Sequence, residues 1–339
     1  MPNNLKKVAI NGFGRIGRCS FRAAYDQKAK IKIVAINDLT DPATLAYLLR
    51  HDSVYGNWKD HEVTSTKDSL VVDGEKIPVY AEKDPTKLPW GKMGIDVVIE
   101  STGFFTDKEG AQKHITAGAK AVVISAPTKS ADLGTYVIGA NEKNLKKGEN
   151  IVSNASCTTN CTSPVMSVLQ NKFGIKKAML TTVHAYTATQ KLVDGPDAKD
   201  LRRGRAATAN IVPSTTGAAN AVIQTIPELA GKFDGLSIRV PVISGSLIDV
   251  TALLNKKVTV EEVNQAFKDA AKNPLYKGII FASEEPLVST DIIGTTYSAI
   301  IDLESTKVVD GDLVKVMAWY DNEYGYSVRL VEMVSLIKI

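Results

Sequence analysis

The chain has 339 residues, 41 of them basic and 37 acidic, for a net charge of +4. That length exceeds what one hydrophobic core usually supports, so two domains are expected. So mild a charge, with no basic stripe interleaved with aromatics, argues against a nucleic-acid binder, and the lack of any run of about 18 apolar residues argues against a membrane span.

The first half reads as alternating strands and helices. Lys6–Asn11 is a short apolar run, Arg15–Gln27 has apolar residues at helical spacing, and Ile31–Asn37 is β-branched and apolar. Ile95–Glu100, a polar helical stretch Asp107–Ala117, and the strand-like Lys120–Ser125, Tyr136–Ala140 and Asn150–Ser153 follow. This alternation predicts an α/β domain of the Rossmann type, a doubly wound parallel sheet. From Ala178 onward long strand-like runs dominate: Met179–His184, Leu236–Val242, Leu247–Leu254, Thr296–Leu303 and Leu313–Tyr320. Thr259-Val260-Glu261-Glu262 is a capping box opening a helix to about Lys272. Many strands with few helices predict an α+β domain with a largely antiparallel sheet. Tyr326–Lys338 reads as a helix returning to the first domain. The expected domains are residues 1–155 with 321–339, and residues 156–320.

Gly12-Phe13-Gly14-Arg15-Ile16-Gly17 follows a strand and opens a helix. The first glycine makes the tight turn, the second lets the backbone approach a pyrophosphate, and the third allows close helix–strand packing. The helix N-terminus offers free N–H groups to the phosphates. Asp38 ends the next strand, about 20 residues on, where an acid hydrogen-bonds ribose hydroxyls and repels a 2′-phosphate. The cofactor expected is therefore NAD. Ser125, ending another strand on the same edge, is a candidate contact.

Ser153–Cys161 joins a strand to a helical segment running to about Lys172. Asn154 and Ser156 are helix-capping types, which places Cys157 in the first turn, where the helix dipole lowers a thiol pKa. A lone cysteine is often a small buried hydrophobe, but the polar neighbours here argue against burial. Cys161 and Cys19 read as packing residues. A C-x₃-C pair without nearby histidines or cysteines gives no metal site. Among four histidines, His184 ends a strand and is placed to face a site rim; a hydrogen-bonded core histidine is the other reading. Ser214-Thr215-Thr216-Gly217 suits an anion, or simply caps the helix after it. Arg239, flanked by apolar residues on a strand, needs a carboxylate or a phosphate. Arg202, Arg203 and Arg205 read as a solvated or interface cluster.

These motifs resemble the phosphorylating glyceraldehyde-3-phosphate dehydrogenase family, from Val8 to Tyr326. The segments that carry the likeness are Ile10–Gly17, Ser153–Cys161, Thr182–Gln190, Ser214–Ala219 and Ala318–Tyr326. The resemblance implies oxidation of glyceraldehyde 3-phosphate to 1,3-bisphosphoglycerate with NAD and inorganic phosphate. It implies Cys157 as nucleophile and His184 as the residue activating its thiol. Ser156, Thr158, Thr187, Thr216, Gly217 and Arg239 would hold the substrate phosphate and the attacking phosphate. Arg15, Ile16, Asp38, Lys83, Ser125 and Asn322 would contact NAD, with Lys83 standing where many members have arginine. It further implies a homotetramer, with the loop Val193–Arg205 near a neighbouring subunit's cofactor. Two rival readings are a relative that oxidises erythrose 4-phosphate, against which Thr187 argues, and a non-catalytic NAD-binding scaffold or adhesion protein. Neither a signal peptide behind Met1–Val8 nor a C-terminal address is evident, and three cysteines give no disulfide framework, so the cytoplasm is the expected setting.

Overall fold

The computed structural model describes residues 5–198 and 200–339. Met1–Asn4 and, inside the Val193–Arg205 stretch, Lys199 lie outside the described residues. The chain forms two compact units: residues 1–136, 143–155 and 327–339, and residues 137–142 and 156–326.

The first unit contains β1 (Lys6–Asn11), α1 (Arg15–Asp26), β2 (Ile31–Asn37), α2 (Pro42–Arg50), β3 (Val63–Ser65), β4 (Ser69–Val72) and β5 (Glu75–Tyr80). It continues through α3 (Trp90–Met93), β6 (Val97–Glu100), α4 (Lys108–Thr116), β7 (Ala121–Ile124) and β8 (Ile151–Ser153). The sheet order is β3-β4-β5-β2-β1-β6-β7-β8, parallel from β5 to β8 and antiparallel at the β3-β4-β5 edge. β6 and β7 are buried along their whole length, as strands covered on both faces must be. Trp90, Ile95, Val98 and Val122 sit at the centre of one core. Burying each such side chain stabilises the fold by about 1.5–3 kcal/mol. Strand order reverses on either side of β1, which defines the switch point where such sheets bind ligands.

Tyr136–Ala140, expected as a strand, is a turn. Val137 C=O accepts from both Ala140 N and Asn141 N, and Gly139 has φ +84°, so the ladder ends at a single bridge from Thr135 to Ser153. The β3-β4-β5 edge was not anticipated, although Asp73-Gly74 between β-formers is a strong hairpin signal. Both residues hold positive φ, +51° and +80°.

The second unit contains α5 (Cys157–Phe173), β9 (Ile175–Ala185), β10 (Val212–Ser214), α6 (Ala218–Thr225), β11 (Phe233–Val240), β12 (Ser246–Leu254) and α7 (Val260–Lys272). Then come β13 (Ile280–Ser283), β14 (Ala299–Val309) and β15 (Leu313–Tyr320). The sheet order is β10-β11-β9-β12-β15-β14-β13, mostly antiparallel, with β11–β9 and β14–β13 parallel. Thr259 and Glu262 close the expected capping box on α7. Burial alternates along β12, from Ser246 through Ile248 and Val250 to Leu254. One face of this sheet is therefore covered, by α5, α6 and α7, and the other is open. The last helix, α8 (Tyr324–Leu336), carries the chain from the second unit's residues into those of the first.

Candidate functional site

In the first unit a cleft of about 530 Å³ opens at the carboxyl ends of the parallel strands. Asn11, Gly12, Gly14, Asp38 and Lys83 line one part of it, and Ser101, Thr102 and Phe104 another. The three glycines divide their work. Gly12 holds φ +90°, and a Cβ there would lie 2.7 Å from Thr102 N; at Gly17 it would lie 2.2 Å from Gly12 O. At Gly14 it would meet nothing within 4 Å. Gly12 and Gly17 thus serve the protein's own packing, while Gly14 leaves bare backbone facing open space. Asp38 accepts from Phe13 N at 2.7 Å and Thr40 N at 2.9 Å, which ties the glycine turn to the end of β2. Backbone N–H groups, a cation and a carboxylate on one rim fit a dinucleotide's pyrophosphate and ribose.

Arg15, Ile16 and Ser125 do not line this cleft. Arg15 is hydrogen-bonded to Asp52 and lies over the Tyr55 ring. Burial of Asp52 opposes its ionisation, but Arg15 and the Tyr55 and Val54 amides outweigh that and hold its carboxyl below the usual range. Ser125 donates its amide to Glu100 C=O. The cleft also includes Asn37, Glu82, Thr102 and the exposed Phe104, which no sequence motif marks as cofactor contacts. The Asn11 in Ile10-Asn11-Gly12 was the available signal.

The second unit's site grows from sheet register. Ser156 caps α5 by accepting from Thr159 N at 3.1 Å, so Cys157 is the first helical residue. The chain reaches this cap through Ala155, held at φ +55°, a left-handed conformation uncommon for a residue with a Cβ. Thr182 and His184 project from the covered face of β9, two residues apart. Arg239 on β11 is the parallel partner of His184. Cys157 Sγ and His184 Nε2 are 3.4 Å apart. His184 Nδ1 lies 2.7 Å from Ala185 O and 2.7 Å from Arg239 Nη1, and Arg239 also donates to Ala185 O at 3.0 Å. Tyr320 OH bridges Thr158 Oγ1 and Thr182 Oγ1, each at 2.9 Å. Ser246 donates to Asn322 Oδ1 at 2.8 Å and accepts from Ala185 N at 3.1 Å.

One expectation about Cys157 is corrected, the lowering of its thiol pKa by the helix dipole. Its polar neighbours are buried: Thr158, Thr159 and Asn160 are each at most 4% exposed. Thr158 Oγ1 pairs with Tyr320 OH, Thr159 Oγ1 with Ser156 Oγ, and Asn160 Nδ2 donates to Ser156 C=O. Cys157 itself is half-buried. Burial pushes its thiol up; Arg239 and the helix-terminal amides of Thr158 and Cys157 pull it down but do not prevail. Burial, and then Arg239, push His184 down to about 3. The resting pair is therefore a thiol facing a neutral imidazole, with a cation at its back.

Thr187 and Thr216 are half-exposed, the first bonded to Thr189 Oγ1 and the second to Ala218 N. Gly217 precedes α6 with open space where a Cβ would be. Arg203, one of the arginines expected in a solvated or interface cluster, donates twice to Ser214 Oγ, at 3.0 and 2.8 Å, and to Thr215 O at 3.4 Å. Its charge also reaches Arg239. Spacing could not show this, because the contact spans a long loop. Among the described residues no cluster of metal-ligand type occurs, and no helix is long and apolar enough to cross a membrane.

A dinucleotide cleft together with a cysteine–imidazole pair backed by Arg239 defines a dehydrogenase of the nicotinamide-dependent class. Residues 6–108 match the glyceraldehyde 3-phosphate dehydrogenase NAD binding domain, and residues 156–322 match that family's C-terminal domain. The chain is 54% identical over 332 residues to glyceraldehyde-3-phosphate dehydrogenase of Geobacillus stearothermophilus, covering 98% of each. It is 55% identical over 334 residues to that of Thermotoga maritima, covering 98% of this chain and 99% of the relative. The chain belongs to the glyceraldehyde-3-phosphate dehydrogenase family and is an NAD-dependent aldehyde oxidoreductase.

Proposed function

We propose that this protein oxidises glyceraldehyde 3-phosphate to 1,3-bisphosphoglycerate, with Cys157 as nucleophile and His184 as its proton partner. The observation that carries the reading is the 3.4 Å approach of Cys157 Sγ to His184 Nε2 at the N-terminus of α5. Sγ bonds to the aldehyde carbon, and its proton passes by way of Nε2 to the carbonyl oxygen, giving a hemithioacetal. Bound NAD supplies the hydride acceptor. His184 then takes the hydroxyl proton as the carbon is oxidised to a thioester, so the free energy of oxidation is kept in the C–S bond. An oxygen of inorganic phosphate forms the new C–O bond as C–S breaks. Of the protons on imidazolium and phosphate, one restores the thiol and one leaves to solvent.

Arg239, Arg203 and the Ser214–Gly217 turn, with Ser156, Thr158 and Thr187, hold the two phosphate groups. Arg239 faces a neutral imidazole and a carbonyl, whereas Arg203 is paired with Asp200 at 3.5 Å, so Arg239 is the cation better placed to take an anion. Thr158 is aimed by Tyr320, whose phenol burial and Cys157 keep protonated. Asn322 has its carbonyl tied to Ser246, which leaves its amide nitrogen to orient a nicotinamide carboxamide. Asp38 and Lys83 contact NAD within the cleft, and Arg15, Ile16 and Ser125, which do not line it, contact the cofactor beyond its rim, within a cofactor domain of residues 1–155 with 321–339; residues 156–320 form the catalytic domain.

The protein works as a homotetramer. Supporting this, the open face of the second sheet exposes Met179, Leu236 and Leu313, more apolar surface than a solvated face needs. Cys19, Cys157 and Cys161 are all free thiols, which suits the cytoplasm. The test is NADH formation from glyceraldehyde 3-phosphate with and without inorganic phosphate. Rapid turnover only with phosphate is expected. Sustained turnover without it means water resolves the thioester, and the phosphate assignment fails.

A further inference from the structure

Behind the dinucleotide cleft lies a buried polar chain that no step of the reaction uses. Glu100, at the end of β6, is 1% exposed, and His114 on α4 is fully buried. Four donors converge on the Glu100 carboxylate. Asn11 Nδ2 reaches Oε2 at 2.6 Å and His114 Nε2 reaches it at 3.1 Å, while Thr102 N and Thr102 Oγ1 donate to Oε1. Trp90 Nε1 donates to His114 Nδ1 at 3.1 Å. Nδ1 is therefore the bare nitrogen, and Nε2 carries the proton that points at Glu100.

The chain runs on from Asn11 to the cleft wall. Asn11 Oδ1 accepts from Asn37 Nδ2 at 2.7 Å. Asn37 then clasps Glu82 through both backbone groups, each at 2.9 Å. Four segments that line the cleft come from the ends of β1, β2, β5 and β6. One hydrogen-bonded path, starting from one carboxylate, reaches all four.

We propose that Glu100, held by His114, is a positioning residue for the cofactor: it sets the spacing of the loops that receive the dinucleotide without touching it. An anion is required, because every group facing the two oxygens is a donor. A carboxamide of the same shape must turn its NH₂ toward Asn11 and His114 or toward Thr102, opposing donors in either case. A half-satisfied buried network then relaxes by moving the loops.

The test is Glu100→Gln in the full chain, with Val122→Ala as a control that loosens the same domain's core without touching the path. Expected for Glu100→Gln is a rise of about tenfold or more in the dissociation constant for NAD, the scale of a lost charged hydrogen bond. Its kcat at saturating NAD, its KM for the triose phosphate and its rate of Cys157 labelling by iodoacetamide stay within about twofold. Val122→Ala lowers Tm comparably and leaves NAD affinity within about twofold. Equal NAD binding by Glu100→Gln and the parent overturns the proposal. So does an equal loss of affinity in Val122→Ala, which would reduce the effect to stability. If Glu100→Gln does not fold, His114→Gln and His114→Ala replace it. Gln supplies a donor to Glu100 and Ala does not, so weaker NAD binding in the alanine variant alone supports the proposal, and equal binding in both overturns it.

Discussion

The cofactor cleft recognises with backbone, and the cysteine site with side chains, and the two were legible to different degrees for that reason. In the cleft the chemistry is local. Six consecutive residues make the turn, and each glycine answers a demand visible in sequence: a positive φ at Gly12, bare N–H at Gly14, close packing at Gly17. In the second unit the reacting groups are far apart in sequence, and sheet register assembles them. Arg239 meets His184 because β11 lies parallel to β9 in that register. Tyr320 stands between Thr158 and Thr182 because β15 lies across β12 from β9. A motif can be read along a chain, but a register cannot.

The largest effect should come from breaking the side-chain site. Arg239→Gln removes a half-buried cation that faces His184 and the proposed phosphate site. kcat/KM is expected to fall by about a hundredfold or more, the scale of a lost charged anchor. The same variant tests the electrostatics. Arg239 pulls the Cys157 thiol down against burial. Without it the thiol pKa rises further and the thiolate fraction at any given pH falls. The pH profile of Cys157 alkylation should therefore move to higher pH. An unmoved profile would mean that the guanidinium is screened from the sulfur.

That site also shows why sequence reading was incomplete. Cys157, His184 and Arg239 each stand out in the sequence, but Arg203 reads only as part of a solvated or interface cluster. Nothing at Arg202–Arg205 says that the loop folds back onto Ser214. Polar composition around Cys157 does not mark exposure of its neighbours, because Thr158, Thr159 and Asn160 are buried and find partners inside the protein. His114 looked like part of a polar helix. Gly110, Ala111 and His114 in fact share the buried side of α4, a spacing visible in hindsight as one small-residue stripe. At the level of fold, long strands such as β12 were evident from alternation. The three short strands β3, β4 and β5 were missed despite their Asp73-Gly74 turn.

A smaller effect should separate the glycines of the cleft. Gly17→Ala places a Cβ 2.2 Å from the Gly12 carbonyl, so the helix must shift. It should lower Tm and NAD affinity together. Gly14→Ala meets no protein atom, so Tm should hold within a degree or two while the dissociation constant for NAD rises about tenfold, from a methyl group where pyrophosphate must approach. Calorimetry paired with NAD titration checks both. Should Gly14→Ala bind NAD normally, the open space at Gly14 is not the phosphate seat.

The smallest expected effect lies far from both sites. Lys6, at the start of β1, directs its ammonium at the carboxyl end of α8, donating to Val334, Ser335 and Ile337 carbonyls at 3.1, 2.7 and 2.6 Å. The last carbonyls of a helix have no partners within it and carry its negative dipole end, so a cation there satisfies both. Burial lowers the Lys6 pKa, more than Asp96 restores, so part of the gain is offset by desolvation. Lys6→Met keeps the aliphatic stem and removes the donors. A loss of about 1 kcal/mol is expected, or a Tm lower by roughly 2–4 °C for a unit of this size. Amide exchange should quicken in the last turn of α8, while kcat/KM stays unchanged. An unchanged Tm would mean that dehydrating the ammonium costs as much as its three hydrogen bonds return.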